Sequence, residues 1–153
     1  VSTVYIVRDG KVLLVWNKNV GSFIPTGGHI EENELPCESV VREAKEESGF
    51  DIEIIGDSEV GKEVISKTGA KRVFLPQNFM IGLDVIKPGH HHINLTYVGK
   101  ITGGKELENS DEGDALKWFS LDELMSSEEI FENIKKEAKE AIRLMNKYLD
   151  NKK

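Results

Sequence analysis

A predicted helix over residues 36–48 constrains the fold more than any other part of the chain. Its sequence, PCESVVREAKEES, starts with a proline, a residue suited to a first helical turn, and Gly49 follows as a typical terminating residue. When the residues are placed at about 100° per residue, one narrow stripe is small or apolar. The stripe consists of Cys37, Val40, Val41, Ala44 and Ser48. We therefore expect a helix that buries this stripe against a sheet.

Three glutamates lie together on one flank of this helix, near its C-terminus. Glu43 is three residues before Glu46 and four before Glu47, spacings that bring like charges together. Acidic side chains at this end also oppose the helix dipole, which costs about 0.3–1 kcal/mol each. A solvated surface helix is one interpretation. The other is a Mg²⁺ site, since carboxylate oxygens are the ligands Mg²⁺ prefers and the glycines before the helix permit close backbone approach.

Composition limits the classes of protein to consider. The chain has 153 residues, 39% of them hydrophobic, and no long apolar run, so we expect one globular domain over residues 1–153 without a membrane span. The net charge of −7 argues against general nucleic-acid binding but allows a phosphate ligand held through a cation. Cys37 is the only cysteine, which suits a cytoplasmic protein, and the first residues lack the pattern of a secretory signal.

The hydrophobic pattern predicts a mixed sheet with helices packed against it. Two β-rich runs joined at Asp9-Gly10 predict an opening hairpin. The predicted strands cover residues 3–8, 11–16, 51–60, 72–75, 78–86, 91–101 and 116–119. An amphipathic helix is predicted over residues 128–149, where apolar residues recur at helical spacing.

The residues from Gly28 to Phe50 resemble the complete signature of the Nudix hydrolase family, G-x5-E-x7-R-E-U-x-E-E-x-G-U, in which U is apolar. Glu34 follows Gly28 after five residues, Arg42 follows after seven more, and REAKEESGF supplies every remaining fixed position. Agreement at every fixed position is far more specific than a lone glycine motif. A looser similarity extends to the opening hairpin and to residues 116–124.

The resemblance implies an α/β/α sandwich, hydrolysis of a nucleoside diphosphate linked to another group, and Mg²⁺ or Mn²⁺ as cofactor. Implied metal ligands are Gly27, Glu43, Glu46 and Glu47, and implied structural residues are Gly28, Glu34 and Gly49. Arg42 would orient the carboxylates, and Glu43 could be a ligand or the general base. In many family members a later loop supplies the base, which makes Glu112 the candidate here and Asp111 the second choice.

Residues that contact the substrate are harder to identify, because aromatic residues are individually more often in the core. Candidates for stacking or phosphate contacts are Lys18, Phe23, Arg72, Phe79 and His91. The run His90-His91-His92 is compatible with a transition-metal site, with a cluster lining the cleft, or with plain surface exposure. We expect Trp118 and Phe119 in the core.

The substrate class follows by elimination within the resemblance. Residues 65–68, ISKT, lack the proline typical of many ADP-ribose hydrolases and the tyrosine typical of dinucleoside polyphosphate hydrolases. The favoured interpretation is a mutator-type nucleoside triphosphate pyrophosphatase. The alternatives are an ADP-ribose or nucleotide-sugar pyrophosphatase and, less favoured because every box glutamate is present, a non-catalytic nucleotide sensor. Family members are often homodimers.

Overall fold

The computed structural model describes residues 1–56, 59–108 and 115–153. These ranges contain ten strands and three helices, with α1 between β4 and β5 and with α2 and α3 after β10. The strands are β1 (Ser2–Arg8), β2 (Lys11–Asn17), β3 (Ser22–Ile24), β4 (Thr26–Gly28), β5 (Phe50–Ile54), β6 (Glu63–Ile65), β7 (Lys71–Val73), β8 (Met80–Lys87), β9 (His90–Gly104) and β10 (Leu116–Phe119). The helices are α1 (Pro36–Ser48), α2 (Leu121–Ser126) and α3 (Glu132–Asp150).

The main sheet is mixed, which confirms the predicted fold class. Its central order is β10-β2-β1-β9-β5, with β3, β4 and β8 paired to β2, β1 and β9 respectively. The β1–β2 hairpin turns at Asp9 and Gly10, which both have positive φ, as the Asp-Gly sequence predicts. β1 and β9 run parallel, with Ser2 opposite Leu95. Two strands that are far apart in the sequence are therefore neighbours in the sheet.

Hydrophobic side chains cover both faces of the sheet, giving a helix on each side. Along β1 the alternation sends Val4 and Ile6 toward α1, and Tyr5 and Val7 toward α3. The cluster on the side of Val4 and Ile6 contains three buried residues of α1, namely Cys37, Val40 and Ala44. The cluster on the side of Tyr5 and Val7 contains five buried residues of α3, namely Ile134, Ala138, Ala141, Ile142 and Met145. The layers form the expected α/β/α sandwich.

Several predicted boundaries are wrong, and tertiary contacts explain the largest error. The final helix begins at Glu132 instead of residue 128. The segment before it is bound to β3, because Glu129 O accepts hydrogen bonds from Phe23 N (3.1 Å) and Ser22 Oγ (3.0 Å). Ile130 is buried all the same, which is why the apolar spacing extends beyond the helix.

Smaller differences concern single elements. The strand predicted over 51–60 ends at Ile54. Four short strands contain or adjoin glycines and turns, which obscure the alternation of apolar and polar residues along them: β3, β4, β6 and β7. Val41, predicted to be buried, is exposed beside the stripe. Phe119 is buried and Trp118 packs partly buried against the α1-side cluster, as expected. No helix in the described parts of the chain is long and apolar enough to span a membrane.

Candidate active site

A short strand brings the glycine pair against the acidic flank of α1. β4 pairs with β1, placing Gly28 opposite Ser2 and Gly27 opposite Thr3. From this position Gly27 N donates a hydrogen bond to Glu47 Oε2 at 2.8 Å. The loop backbone and the helix flank therefore form one continuous surface.

Both glycines are required by close contacts. A Cβ on Gly27 would lie 2.3 Å from Ser2 O and 2.7 Å from Thr3 Cα, so the strand pairing permits no side chain there. A Cβ on Gly28 would lie 2.5 Å from Glu43 Oε1. The absence of this side chain leaves space for the Glu43 carboxylate beside the loop.

Arg42 connects the loop before α1 to the acidic flank. Its Nε and Nη2 donate to Glu34 Oε1 and Oε2 at 2.8 and 2.9 Å, a bidentate pair. Its Nη1 donates to Glu43 Oε1 at 2.8 Å and to Glu46 Oε2 at 3.2 Å, and Nη2 reaches His29 O at 3.2 Å. One guanidinium thus fixes the positions of three carboxylates and the loop backbone.

Glu34 is held as an anion. Hydrogen bonds from Arg42, and then from the backbone N of Glu31, lower the pKa of Glu34 to about 2. Hydrogen bonds to Glu34 and then to Glu43 raise the pKa of Arg42. Both groups are therefore charged throughout the neutral range, and their pairing links the loop to α1.

Gly49 ends the helix in the left-handed conformation. Its φ is 81°, its N donates to Lys45 O at 2.9 Å, and a Cβ there would lie 2.1 Å from Lys105 O. Lys45 is directed away from the acidic flank, because its Nζ contacts Asp51 Oδ1 at 3.0 Å and Gly49 O at 3.2 Å. The only basic residue in the last turn therefore does not neutralise the glutamates.

Four carboxylates converge at the loop and the acidic flank. Arg42 pairs with Glu34, Glu43 and Glu46, and the Gly27 N–H donates to Glu47, so these four carboxylates lie together beside one guanidinium. Their oxygen donors and negative charges suit a hard divalent cation, and Gly28 leaves room at Glu43. In the described ranges, however, no three Asp, Glu, His or Cys side chains converge closely enough to hold a metal ion. Arg42 and the Gly27 N–H hold all four carboxylates in their present positions.

The other predicted site residues are dispersed. Glu112 and Asp111 lie outside the described residues. Lys18 is exposed after β2, and Arg72 is exposed on β7, in a separate two-stranded sheet. Phe23 is buried between Trp16 and Phe119, with ring centroids 5.2 and 5.1 Å away. Phe79 packs partly buried against the ring of Tyr5 at 6.3 Å.

The histidine run is divided between the two faces of β9. His91 is exposed on one face, whereas His90 and His92 share the other, where their Nε2 atoms lie 2.7 Å apart. The centroid of the His92 ring also lies 4.9 Å from that of His29, in the loop between β4 and α1. Burial, followed by the charges of His90 and His29, lowers the pKa of His92. These rings form a cluster beside the loop, but His91 does not belong to it.

A polar patch next to Gly27 was not predicted. Thr3, the residue that a Gly27 side chain would strike, donates from Oγ1 to Asn94 Oδ1 at 3.3 Å and lies 3.4 Å from Thr96 Oγ1. We call the polar residues Thr3 on β1 and His92, Asn94 and Thr96 on β9 the polar row. The alternation of polar 92, 94 and 96 with apolar 93, 95 and 97 was visible in the sequence, but the pairing of β9 with β1 was not.

Comparison with known proteins agrees with this arrangement. The NUDIX domain matches residues 1–144. A crystal structure of a NUDIX-family hydrolase from Clostridium perfringens is 32% identical, with a TM-score of 0.77, and the alignment covers 94% of this chain and 95% of that one. No curated protein matches the chain.

More distant structures share the fold. A MutT NUDIX hydrolase from Burkholderia pseudomallei is 18% identical over 93% of each chain, with a TM-score of 0.59. An ADP-ribose pyrophosphatase from Streptococcus suis is 20% identical over 94% of this chain and 89% of that one, also with a TM-score of 0.59. The domain match, the C. perfringens similarity and the complete signature lead to one conclusion: the chain belongs to the Nudix hydrolase family and is a pyrophosphohydrolase.

Proposed function

We propose that this enzyme cleaves a nucleoside triphosphate to a nucleoside monophosphate and pyrophosphate, with Mg²⁺ or Mn²⁺ as cofactor. Nudix enzymes generally use a divalent metal and act on small pyrophosphate-bearing nucleotides. The observation that carries the proposal is the convergence of Glu43, Glu46 and Glu47 on the α1 flank, next to a glycine loop. The triphosphate assignment is supported by the sequence of residues 65–68, which lacks the marks of the alternatives.

The acidic flank and Gly27 O would hold the metal. When bound, a divalent cation neutralises charge on the phosphoryl oxygens and makes water more acidic. Its carboxylate ligands would be Glu43, Glu46 and Glu47. Arg42 keeps Glu43 and Glu46 on the flank, and Glu34 fixes Arg42. Glu43 or Glu112 accepts the proton of the attacking water.

The polar row beside the loop is our candidate for nucleoside contact. Thr3, Asn94 and Thr96 present hydroxyl and amide groups next to Gly27, where the sugar or base of a nucleotide anchored at the flank would reach. Lys18, Arg72, Phe79 and His91 remain candidates at greater distance. Phe23 is dropped because its ring is enclosed in the core.

We further propose that residues 1–153 form one cytoplasmic domain. The family match covers residues 1–144, and Met145, just beyond it, is buried in the same core. The single cysteine, Cys37, is buried and free, which suits a reducing compartment.

A substrate screen tests the proposal directly. Nucleoside triphosphates, ADP-ribose and nucleotide sugars are incubated with the enzyme and Mg²⁺ or Mn²⁺, and products are separated by ion-exchange chromatography. We expect monophosphate and pyrophosphate from a triphosphate. Cleavage of ADP-ribose to AMP and ribose 5-phosphate, without triphosphate hydrolysis, would transfer the assignment to the alternative class. Tight nucleotide binding without turnover would indicate a sensor.

A matched pair of substitutions tests the metal flank. Glu47→Gln retains the shape and one oxygen for the Gly27 N–H but removes the charge, so we expect Mg²⁺-dependent hydrolysis to be lost while the metal-free protein stays folded. Glu53→Gln changes an exposed glutamate on β5, paired with Lys100, and should leave the rate unchanged. Wild-type hydrolysis by Glu47→Gln would contradict the proposed metal site.

A further inference from the structure

Two histidines near the turn between β8 and β9 form a close pair outside the acidic flank. Because side chains alternate along a strand, His90 and His92 lie on one face of β9 and His91 lies on the other. The Nε2 atoms of His90 and His92 are 2.7 Å apart, and their ring centroids are 4.7 Å apart. Each ring therefore directs one nitrogen at the other.

The spacing of the two nitrogens is close to that of two ligands on one metal ion. Metal–imidazole bonds of about 2.0–2.1 Å place two nitrogens about 2.9 Å apart at a right angle and about 3.4 Å apart at a tetrahedral angle. The pair must therefore widen by about 0.2 Å for the first geometry and about 0.7 Å for the second. His90 is exposed, so its side chain is free to rotate by this amount.

The pair also has the protonation that a metal ligand needs. Burial, and then the charges of His90 and His29, lower the pKa of His92, which keeps this ring neutral at neutral pH. Neutral imidazole is the form that binds metal ions. The hydrogen bond between the rings uses one Nε2 proton, and a cation between them would replace it, with the donor ring carrying its proton on Nδ1 instead.

A carboxylate on the same face would offset the charge of a bound cation. Asp84 on β8 is opposite His92 in the hairpin register, and side chains in such pairs lie close together. Its negative charge already acts on the His92 ring. The cation would consequently lie between two neutral rings and beside one acid.

The ligands restrict the class of metal. Imidazole nitrogen suits Zn²⁺, Cu²⁺ and Ni²⁺, whereas Mg²⁺ takes oxygen ligands. The described residues offer no third protein ligand close enough to complete a set, so water would fill the remaining positions. A right-angled pair completed by water is the tetragonal arrangement typical of Cu²⁺ and Ni²⁺, and it requires the smaller movement.

We propose that His90 and His92 bind a divalent transition-metal cation of the Ni²⁺ and Cu²⁺ type, at a site separate from the acidic flank. The site adjoins the loop between β4 and α1, because the centroid of the His29 ring is 4.9 Å from that of His92. The inference does not depend on which nucleotide the enzyme cleaves.

Isothermal titration with Ni²⁺ tests the site, in the presence of millimolar Mg²⁺ to occupy oxygen ligands. His90→Ala and His92→Ala should each weaken Ni²⁺ binding by at least about tenfold, the lower bound for loss even of an outer-shell partner. The matched control is His91→Ala, which removes the same side chain from the opposite face and should bind Ni²⁺ like the wild type. No Ni²⁺ binding by the wild type, or equal weakening in all three variants, would overturn the proposal.

Electron paramagnetic resonance of bound Cu²⁺ identifies the ligands directly. With the same Mg²⁺ present, the wild-type signal should show coupling to two imidazole nitrogens, and the His90→Ala signal to one. Glu47→Gln should retain the wild-type signal, because Glu47 belongs to the acidic flank. A signal lost in Glu47→Gln and kept in His90→Ala would assign the cation to the acidic flank and contradict the histidine site.

Discussion

Replacing Gly28 with alanine separates catalysis from stability at the site. The new Cβ would lie 2.5 Å from Glu43 Oε1, whereas ordinary contact begins at 3.4 Å, so the carboxylate must retreat by about 0.9 Å. A misplacement of about 1 Å in a catalytic group can lower the rate about a hundredfold, equivalent to about 2.7 kcal/mol of transition-state free energy. We therefore expect the turnover of Gly28→Ala to fall by about two orders of magnitude.

The fold should be nearly unaffected by the same substitution. Gly28 has no positive φ, and the atom it strikes is the end of a movable side chain. Weakening the Glu43–Arg42 bond costs about 1 kcal/mol, and the smaller conformational entropy of unfolded alanine offsets about 0.4–1 kcal/mol of it. The free energy of unfolding should consequently change by less than about 1 kcal/mol.

Gly27→Ala is the matched comparison. Its Cβ would meet backbone atoms of Ser2 and Thr3 at 2.3 and 2.7 Å, which cannot move without disturbing the β1–β4 pairing. Overpacking of this kind costs about 1–3 kcal/mol, so this variant should lose both stability and activity. Steady-state turnover with Mg²⁺ and chelator-treated denaturant unfolding measure the two quantities. A Gly28→Ala enzyme with wild-type turnover, or one destabilised as much as Gly27→Ala, would refute the reasoning.

Three further predictions concern the base, the metal and pH. Glu112→Gln should lower kcat about a hundredfold, as expected for loss of a general base, and near-normal kcat would transfer that role to Glu43 or Asp111. Millimolar Mg²⁺ should raise the melting temperature by ligand linkage, and a melting temperature insensitive to Mg²⁺ and chelator would argue against the metal site. Burial raises the pKa of Glu137, which accepts a hydrogen bond from Tyr5, so this group takes up protons more readily folded than unfolded. Its contribution to the free energy of unfolding is complete at low pH and is lost as pH rises through the raised pKa. In Glu137→Gln, the free energy of unfolding in urea, measured from acidic to neutral pH, should therefore fall less with rising pH than in the wild type.

The parts of the site predicted from the sequence are those encoded by short-range spacing. Gly28, Glu34, Arg42 and the three flank glutamates occupy fixed intervals along one loop and one helix, so helical geometry alone brings the last four together. The helix bounds at Pro36 and Gly49 follow from local backbone preferences. The hairpin at Asp9-Gly10 is predictable for the same reason.

Features that depend on contacts distant in sequence were missed. The polar row needs β1 beside β9, a pairing that joins residues about ninety positions apart and leaves no local signal. The start of α3 is decided by hydrogen bonds to Ser22 and Phe23, which override helical periodicity. The sequence also left open how the glutamates are compensated. The structure assigns part of that task to Arg42 and to the Gly27 amide.

The parallel pairing of β1 with β9 determines when the active site can form during synthesis. The glycine loop is supported by β1, and β1 is enclosed by β9, whose residues emerge from the ribosome long after the acidic helix. Chain closure over such a separation slows folding, and until β9 and β10 have been made the β1–β2 hairpin lacks the strands that pair with its two outer edges. A nascent chain that ends before residue 95 should therefore contain every residue from Gly27 to Glu47 and still lack an assembled site.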